Sequence, residues 1–155
     1  MADPANGAMT VTAIHRRVEA CRAGTDPTMI ARLPSGWAVL GDPQVLPGYC
    51  LLLPDPVVPH LNAMAPAAQQ AFLADMARIG QAAQEVTGAV RINYAIFGNV
   101  EPALHAHVFP RCADEPADLA KANPWGYDWN AAPRFDAARD AGLLAQLRAG
   151  LSSRR

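Results

Sequence analysis

The chain has 155 residues, 51% of them hydrophobic and 17% charged, with a formal net charge of −1. This length suffices for one globular domain with a sizeable core, and the charge argues against the basic face that duplex DNA requires. Three cysteines, an odd number, disfavour a disulfide framework. The N-terminus lacks the apolar run of a signal peptide, and no stretch is apolar over the length of a membrane span. We therefore expect a cytoplasmic protein with neither DNA nor a membrane as its partner.

The first third of the sequence predicts a tail, a short helix and a hairpin. Residues 1–9 are expected to form a flexible tail. Apolar residues then recur at helical spacing between Thr10 and Ala23. Two β-rich runs follow at 36–42 and 48–54, and the short Pro-Gly-containing connection between them favours a β-hairpin.

The clearest helix of the sequence begins at Pro66 and carries a single apolar stripe until Gly88, which is typical of a helix end. The run 89–99 alternates between apolar and other residues, which predicts a strand, and 104–109 predicts a further strand.

The C-terminal part begins with an irregular segment, 112–135, whose aromatic cluster we expect to pack on the sheet rather than to form a lid. A last amphipathic helix is expected from Asp136 to Leu151. The elements lack a repeated βαβ rhythm, so they indicate one α+β domain over residues 10–155 with an antiparallel sheet.

Two histidines, His105 and His107, stand one residue apart in the run "PALHAHVFPR". Because side chains alternate along a strand, both are expected on the same face. Such a pair can bind a metal, share a proton transfer or act on an anionic substrate, and it can equally be two ordinary half-buried histidines. A metal site would need a third ligand, and its candidates are all distant in sequence: His15, His60, Asp55 or a cysteine.

The segment "INYAIFGNVEPALHAHVFPR" resembles the signature strand pair of the histidine triad (HIT) superfamily, in which three histidines alternate with apolar residues before Pro-Arg. Aligned on that pattern, His105 and His107 match the second and third histidines, while Ala103 replaces the first. The upstream block "VLGDPQVLPGYCLLLPD" is similar to another recurrent block of the family, with Tyr49 where many members have histidine.

The resemblance implies a HIT-like α+β fold, with an antiparallel sheet of about five strands, a long helix and flanking helices. It implies that His105 is a nucleophile that attacks the α-phosphorus of a nucleotide and that His107 binds the phosphate or the leaving group. Asp42 would accept the ribose hydroxyls and Asn99 would hold a phosphate oxygen, although either residue can simply form a turn. The implied function is hydrolysis or nucleotidyl transfer through a nucleotidyl-histidine intermediate, with a dinucleoside polyphosphate such as diadenosine tetraphosphate, or a nucleoside phosphoramidate, as substrate.

The resemblance further implies a homodimer that binds a small-molecule nucleotide. No tightly bound cofactor is expected, and Mg²⁺ would only accompany a polyphosphate substrate. The first histidine of the family acts mainly through its backbone carbonyl, which Ala103 keeps, so His105 is expected to remain the nucleophile. Two alternatives stay open: a nucleotide-binding protein that has lost turnover, and a metal-binding protein that uses His105 and His107.

Overall fold

The computed structural model describes residues 10–153, which form a five-stranded antiparallel sheet and three α-helices. This confirms the α+β class; the expected tail, 1–9, lies outside the described residues. The sheet has the strand order β1-β2-β3-β5-β4, with β1 Met29–Leu33, β2 Gly36–Leu40, β3 Cys50–Pro54, β4 Arg91–Ile96 and β5 Ala106–Arg111. The helices are α1 Ala13–Arg22, α2 Pro66–Thr87 and α3 Ala141–Ser152, and two 3₁₀ turns cover Leu61–Ala63 and Pro124–Gly126.

Helix α1 begins later than the apolar spacing predicts because Thr12 caps it. The Thr12 hydroxyl accepts the backbone N–H of His15, and the backbone N–H of Thr12 donates to Nδ1 of the His15 ring. This reciprocal capping box fixes the first turn of the helix. Val11 therefore lies outside the helix and is 66% exposed.

The predicted hairpin is confirmed, since β2 pairs with β3 in an antiparallel register that places Val39 opposite Leu51. All five residues of β3 are buried, and β3 occupies the centre of the sheet. The sequence reading missed β1, a short edge strand whose five residues include an arginine and carry too little periodic signal.

Helix α2 agrees with the prediction. Pro66 occupies its first turn and Gly88 ends it in the left-handed conformation, with φ at 69°. Within the described residues no helix is both long and apolar enough to cross a membrane. Helix α3 begins at Ala141 rather than at Asp136. Residues 137–140 form a separate turn, in which the carboxylate of Asp136 accepts the N–H groups of Ala138 and Arg139.

The sheet carries a hydrophobic core on each face. One core lies under α2 and α3 and contains Leu52 and Val108. The other contains Tyr49, Ala103 and Phe109 together with residues of α1. Because side chains alternate along β5, His107 shares the face of Phe109, and the candidate site lies on the side of the sheet opposite α2.

Candidate active site

A cavity of about 550 Å³ opens where the loop after β4 meets the start of β5. His105, His107 and Asn99 all line this cavity, so three of the four predicted site residues meet in one place. The wall is completed by Phe97, Gly98, Val100, Glu101, Asn123, Trp125 and Trp129. The cavity therefore brings the two histidines and Asn99 together with tryptophans from the segment that follows β5.

The His105 ring has a defined tautomer. Its Nδ1 lies 2.8 Å from the carbonyl oxygen of Ala103, and because a carbonyl only accepts, Nδ1–H must be the donor. In the neutral ring the lone pair is therefore on Nε2, which is the form needed for nucleophilic attack. His105 precedes β5 rather than lying in a strand as predicted, and the backbone of residues 103–105 is what orients its ring.

The His107 ring lies beside that of His105, with ring centroids 4.9 Å apart. Its Nδ1 is 2.7 Å from the hydroxyl oxygen of Tyr49. Burial, together with a smaller electrostatic effect of His105, lowers the pKa of His107 to about 4. His107 is thus a neutral imidazole near pH 7.

Aromatic rings pack around His107, one parallel to its ring and one against its edge. Tyr49 stacks on Phe109 at 4.4 Å, and His107 lies parallel to Phe109 at 5.6 Å. Trp125 meets the His107 ring edge-on at 5.3 Å, and Trp129 stacks on Trp125. The aromatic cluster of segment 112–135 thus packs against the sheet face, and its Trp125 is also a wall of the cavity.

Comparison with known proteins places this arrangement in a family. The HIT domain model matches residues 26–114, which is more than half of the chain. The chain belongs to the HIT family. No curated protein matches it with significance.

Solved HIT structures share the fold of this chain. A histidine triad protein from Bradyrhizobium japonicum is 24% identical, with a TM-score of 0.69 over 84% of this chain and 94% of that one. One from Marinobacter aquaeolei is 20% identical, with a TM-score of 0.71 over 92% and 97%. A hypothetical histidine triad nucleotide-binding protein from Sulfolobus tokodaii is 13% identical, with a TM-score of 0.69 over 88% and 91%.

Asp42 of the HIT domain lies apart from the histidine cavity, which it does not line. Its Oδ1 accepts the backbone N–H of Phe135 at 3.0 Å and lies 3.7 Å from Nε of Arg134. The carboxylate therefore anchors the segment before α3 to the turn after β2. Ribose binding by Asp42 stays a prediction.

A buried ion pair fastens the segment after β5 of the HIT domain. The side chains of Arg111 and Glu115 are each only 6% exposed, and Arg111 donates to both oxygens of the Glu115 carboxylate. The hydroxyl of Tyr127 also donates to Glu115. Burial opposes ionisation of Glu115, but the hydrogen bonds from Arg111 and Tyr127 outweigh it and lower its pKa. The network positions the chain that carries Trp125.

The metal-binding alternative finds no support in the geometry of the HIT domain. Across residues 10–153 no three His, Cys, Asp or Glu side chains are grouped so that they could hold an ion. His105 and His107 thus have no third ligand in this part of the chain.

The sequence reading missed two features of this site. The sequence identifies Tyr49 only as a replacement for a frequent histidine of the family and does not predict its hydrogen bond to His107. For Trp125 the prediction favours packing on the sheet over a lid on the ligand, and it does not include this residue in the cavity wall. The available signals were the position of Tyr49 in the family block and the aromatic cluster itself.

Proposed function

We propose that this protein cleaves a nucleotide derivative at its α-phosphate through a covalent nucleotidyl intermediate on His105. Members of its family are generally nucleotide hydrolases or transferases. The observation that carries the proposal is the hydrogen bond from Nδ1–H of His105 to Ala103, which leaves the lone pair on Nε2 in a residue that lines the cavity.

The reaction needs two displacements at phosphorus. Nε2 of His105 attacks the α-phosphorus, an N–P bond forms, and the bond to the leaving group breaks with its electron pair on the leaving atom. Water or another acceptor then attacks the same phosphorus, which releases the nucleoside monophosphate and restores the imidazole. His107 and Asn99 line the same cavity and supply hydrogen bonds to the phosphate oxygens as charge develops on them.

The proposed substrate is a dinucleoside polyphosphate such as diadenosine tetraphosphate, or a nucleoside phosphoramidate. Asp42 is proposed to bind the ribose, supported by its Oδ2, which has no hydrogen-bond partner within residues 10–153. No tightly bound cofactor is required, and Mg²⁺ would accompany only a polyphosphate substrate. A cytoplasmic location is supported by the three cysteines, which are all unpaired thiols.

A homodimer is proposed through the β4 side of the molecule. Strand β4 is an edge of the sheet, and edges with unpaired backbone groups readily join a second sheet. Apolar side chains are exposed on this strand, on its flanks and on α2: Leu73, Val90, Tyr94 and Phe97.

The test follows AMP release by chromatography from diadenosine tetraphosphate and from an adenosine phosphoramidate. Wild-type protein is compared with His105→Ala and with His60→Ala, which removes an exposed histidine outside the cavity. We expect AMP from the wild type and from His60→Ala, and a loss of roughly a thousandfold or more in His105→Ala, since the nucleophile is gone.

Equal AMP release by wild type and His105→Ala would contradict the proposal. Absence of AMP from all three proteins would also contradict it. Calorimetric AMP binding would in that case favour a nucleotide-binding protein without turnover, the candidate that the replacement at Ala103 suggests.

A further inference from the structure

Tyr49 is built into the site rather than placed at its rim. It is 3% exposed, and its ring stacks on that of Phe109 on the sheet face that carries His107. Gly41 leaves the space that this ring fills, since a Cβ at Gly41 would lie 2.0 Å from two of the ring carbons. The ring is therefore held in one position, with its hydroxyl against His107.

The hydrogen bond between Tyr49 and His107 has only one arrangement that satisfies both groups. Burial raises the pKa of Tyr49 and lowers that of His107, so the phenol keeps its proton and the imidazole carries a single proton. Were Nδ1–H of His107 the donor, the hydroxyl proton of Tyr49 would have no acceptor among the described residues. A buried donor without a partner is costly, so the hydroxyl donates and Nδ1 accepts.

We propose that Tyr49 is a positioning residue of the site: by donating to Nδ1 it places the ring proton of His107 on Nε2, as a hydrogen-bond donor to bound phosphate. His107 thus has the opposite tautomer to His105, in which the carbonyl of Ala103 accepts the Nδ1 proton and the lone pair of the neutral ring is on Nε2. The two neighbouring rings thus present one lone pair and one N–H to the same substrate.

A consequence for substrate class follows, and it rests on the proposed function. A neutral His107 stabilises charge on phosphate but supplies no proton near pH 7. Two groups around it are held by hydrogen bonds: the Tyr49 hydroxyl by Nδ1 of His107, and the Nδ1 proton of His105 by the carbonyl of Ala103. Glu101 also lines the cavity, and its Oε1 accepts the backbone N–H of Ala13. The first triad position, Ala103, has no proton to give.

The site therefore suits a leaving group that departs without protonation. In a phosphoanhydride, the N–P bond to His105 forms as the bridging P–O bond breaks, and the electron pair stays on the oxygen of the departing nucleotide anion. The amine of a phosphoramidate departs well only when a proton is added to its nitrogen. A dinucleoside polyphosphate is thus the preferred class over a phosphoramidate.

The role of Tyr49 is tested by nitrogen-15 NMR of the histidine rings at pH 7, with His107→Asn used to assign the His107 signals. In the wild type we expect protonated Nε2 and unprotonated Nδ1 at His107. Tyr49→Phe keeps the stacked ring but removes the hydroxyl that donates to Nδ1 of His107. The tautomer of His107 that is protonated on Nδ1 should then be populated. The matched control is Tyr94→Phe, because Tyr94 pairs with Val108 and lies on the other face of the sheet. A wild-type His107 protonated on Nδ1, or unchanged signals in Tyr49→Phe, would overturn the role.

The substrate class is tested by kcat/KM on diadenosine tetraphosphate and on adenosine phosphoramidate. We expect the anhydride to be preferred by about tenfold or more, and kcat in Tyr49→Phe to fall about tenfold at little-changed KM. Faster cleavage of the phosphoramidate would overturn the anhydride preference. Cleavage of neither substrate would overturn the proposed function and that preference together, while the NMR result would still decide the role of Tyr49.

Discussion

Ala103 contributes a carbonyl oxygen and a small side chain to the site. The oxygen accepts Nδ1–H of His105, and the side chain is fully buried in the core that also holds Ile14 and Phe109. The carbonyl oxygen of Ala103 therefore orients the His105 ring, as the carbonyl of a histidine at this position would. Other residues of the core fill the space that a larger side chain would need.

The substitution Ala103→His, which restores the full triad, should destabilise the protein instead of activating it. Overpacking a closed core lowers the free energy of unfolding, here by about 1–3 kcal/mol. Urea unfolding measures this, with Ala113→His as the control because Ala113 is exposed. A triad-restored variant with wild-type stability and higher turnover would show that the missing ring, rather than the core, limits the site.

At the scale of elements, the segment after β5 depends on the pair of Arg111 and Glu115. The guanidinium of Arg111 also donates to Asn93 on β4 and to the carbonyl oxygens of Leu119 and Ala122. One side chain thus ties two strands to the segment that carries Trp125.

Glu115→Gln should loosen this segment and lower the free energy of unfolding by about 2–3 kcal/mol, because a charged partner of a buried guanidinium is lost. The exposed neighbour Asp114→Asn serves as the control in the same urea titration. AMP binding should weaken too, since Trp125 walls the cavity.

The difference in the free energy of unfolding between wild type and Glu115→Gln should depend on pH. The pKa of Glu115 is lowered from its ordinary value of 4.5, so its stabilising effect is fully present above 4.5 and is lost as the pH falls through the folded-state pKa. The stability gap between wild type and Glu115→Gln should therefore shrink in acid. A gap that stays constant down to pH 3 would mean that the charge of Glu115 is not what stabilises the segment.

At the scale of the whole molecule, exposed apolar residues collect on the side formed by β4 and α2. Tyr94 is 43% exposed and Leu73 is 40% exposed. Light scattering at micromolar concentration should give the mass of a dimer, and Leu73→Lys should shift it toward the monomer because a charge is buried on association. Val11→Lys, at an exposed apolar residue before α1, should leave the mass unchanged. A monomeric wild type would rule out the proposed dimer.

The sequence alone was sufficient for the features that depend on local periodicity. Helix α2, the hairpin of β2 and β3, and the shared side of His107 and Phe109 on β5 follow from spacings of a few residues, and the family resemblance rests on contiguous motifs. Local spacing determines which side chains share a face, because the geometry of helices and strands repeats.

Only the tertiary structure decided how distant segments meet. Tyr49 and His107 are 58 positions apart, and Asp42 and Phe135 are 93 apart, yet each pair is hydrogen-bonded. The place of Trp125 at the histidines likewise depends on the Arg111–Glu115 pair and the path of an irregular segment. Such contacts are set by strand order, register and loop path. None of these produces a local periodic pattern in the sequence, so they could not be predicted from it.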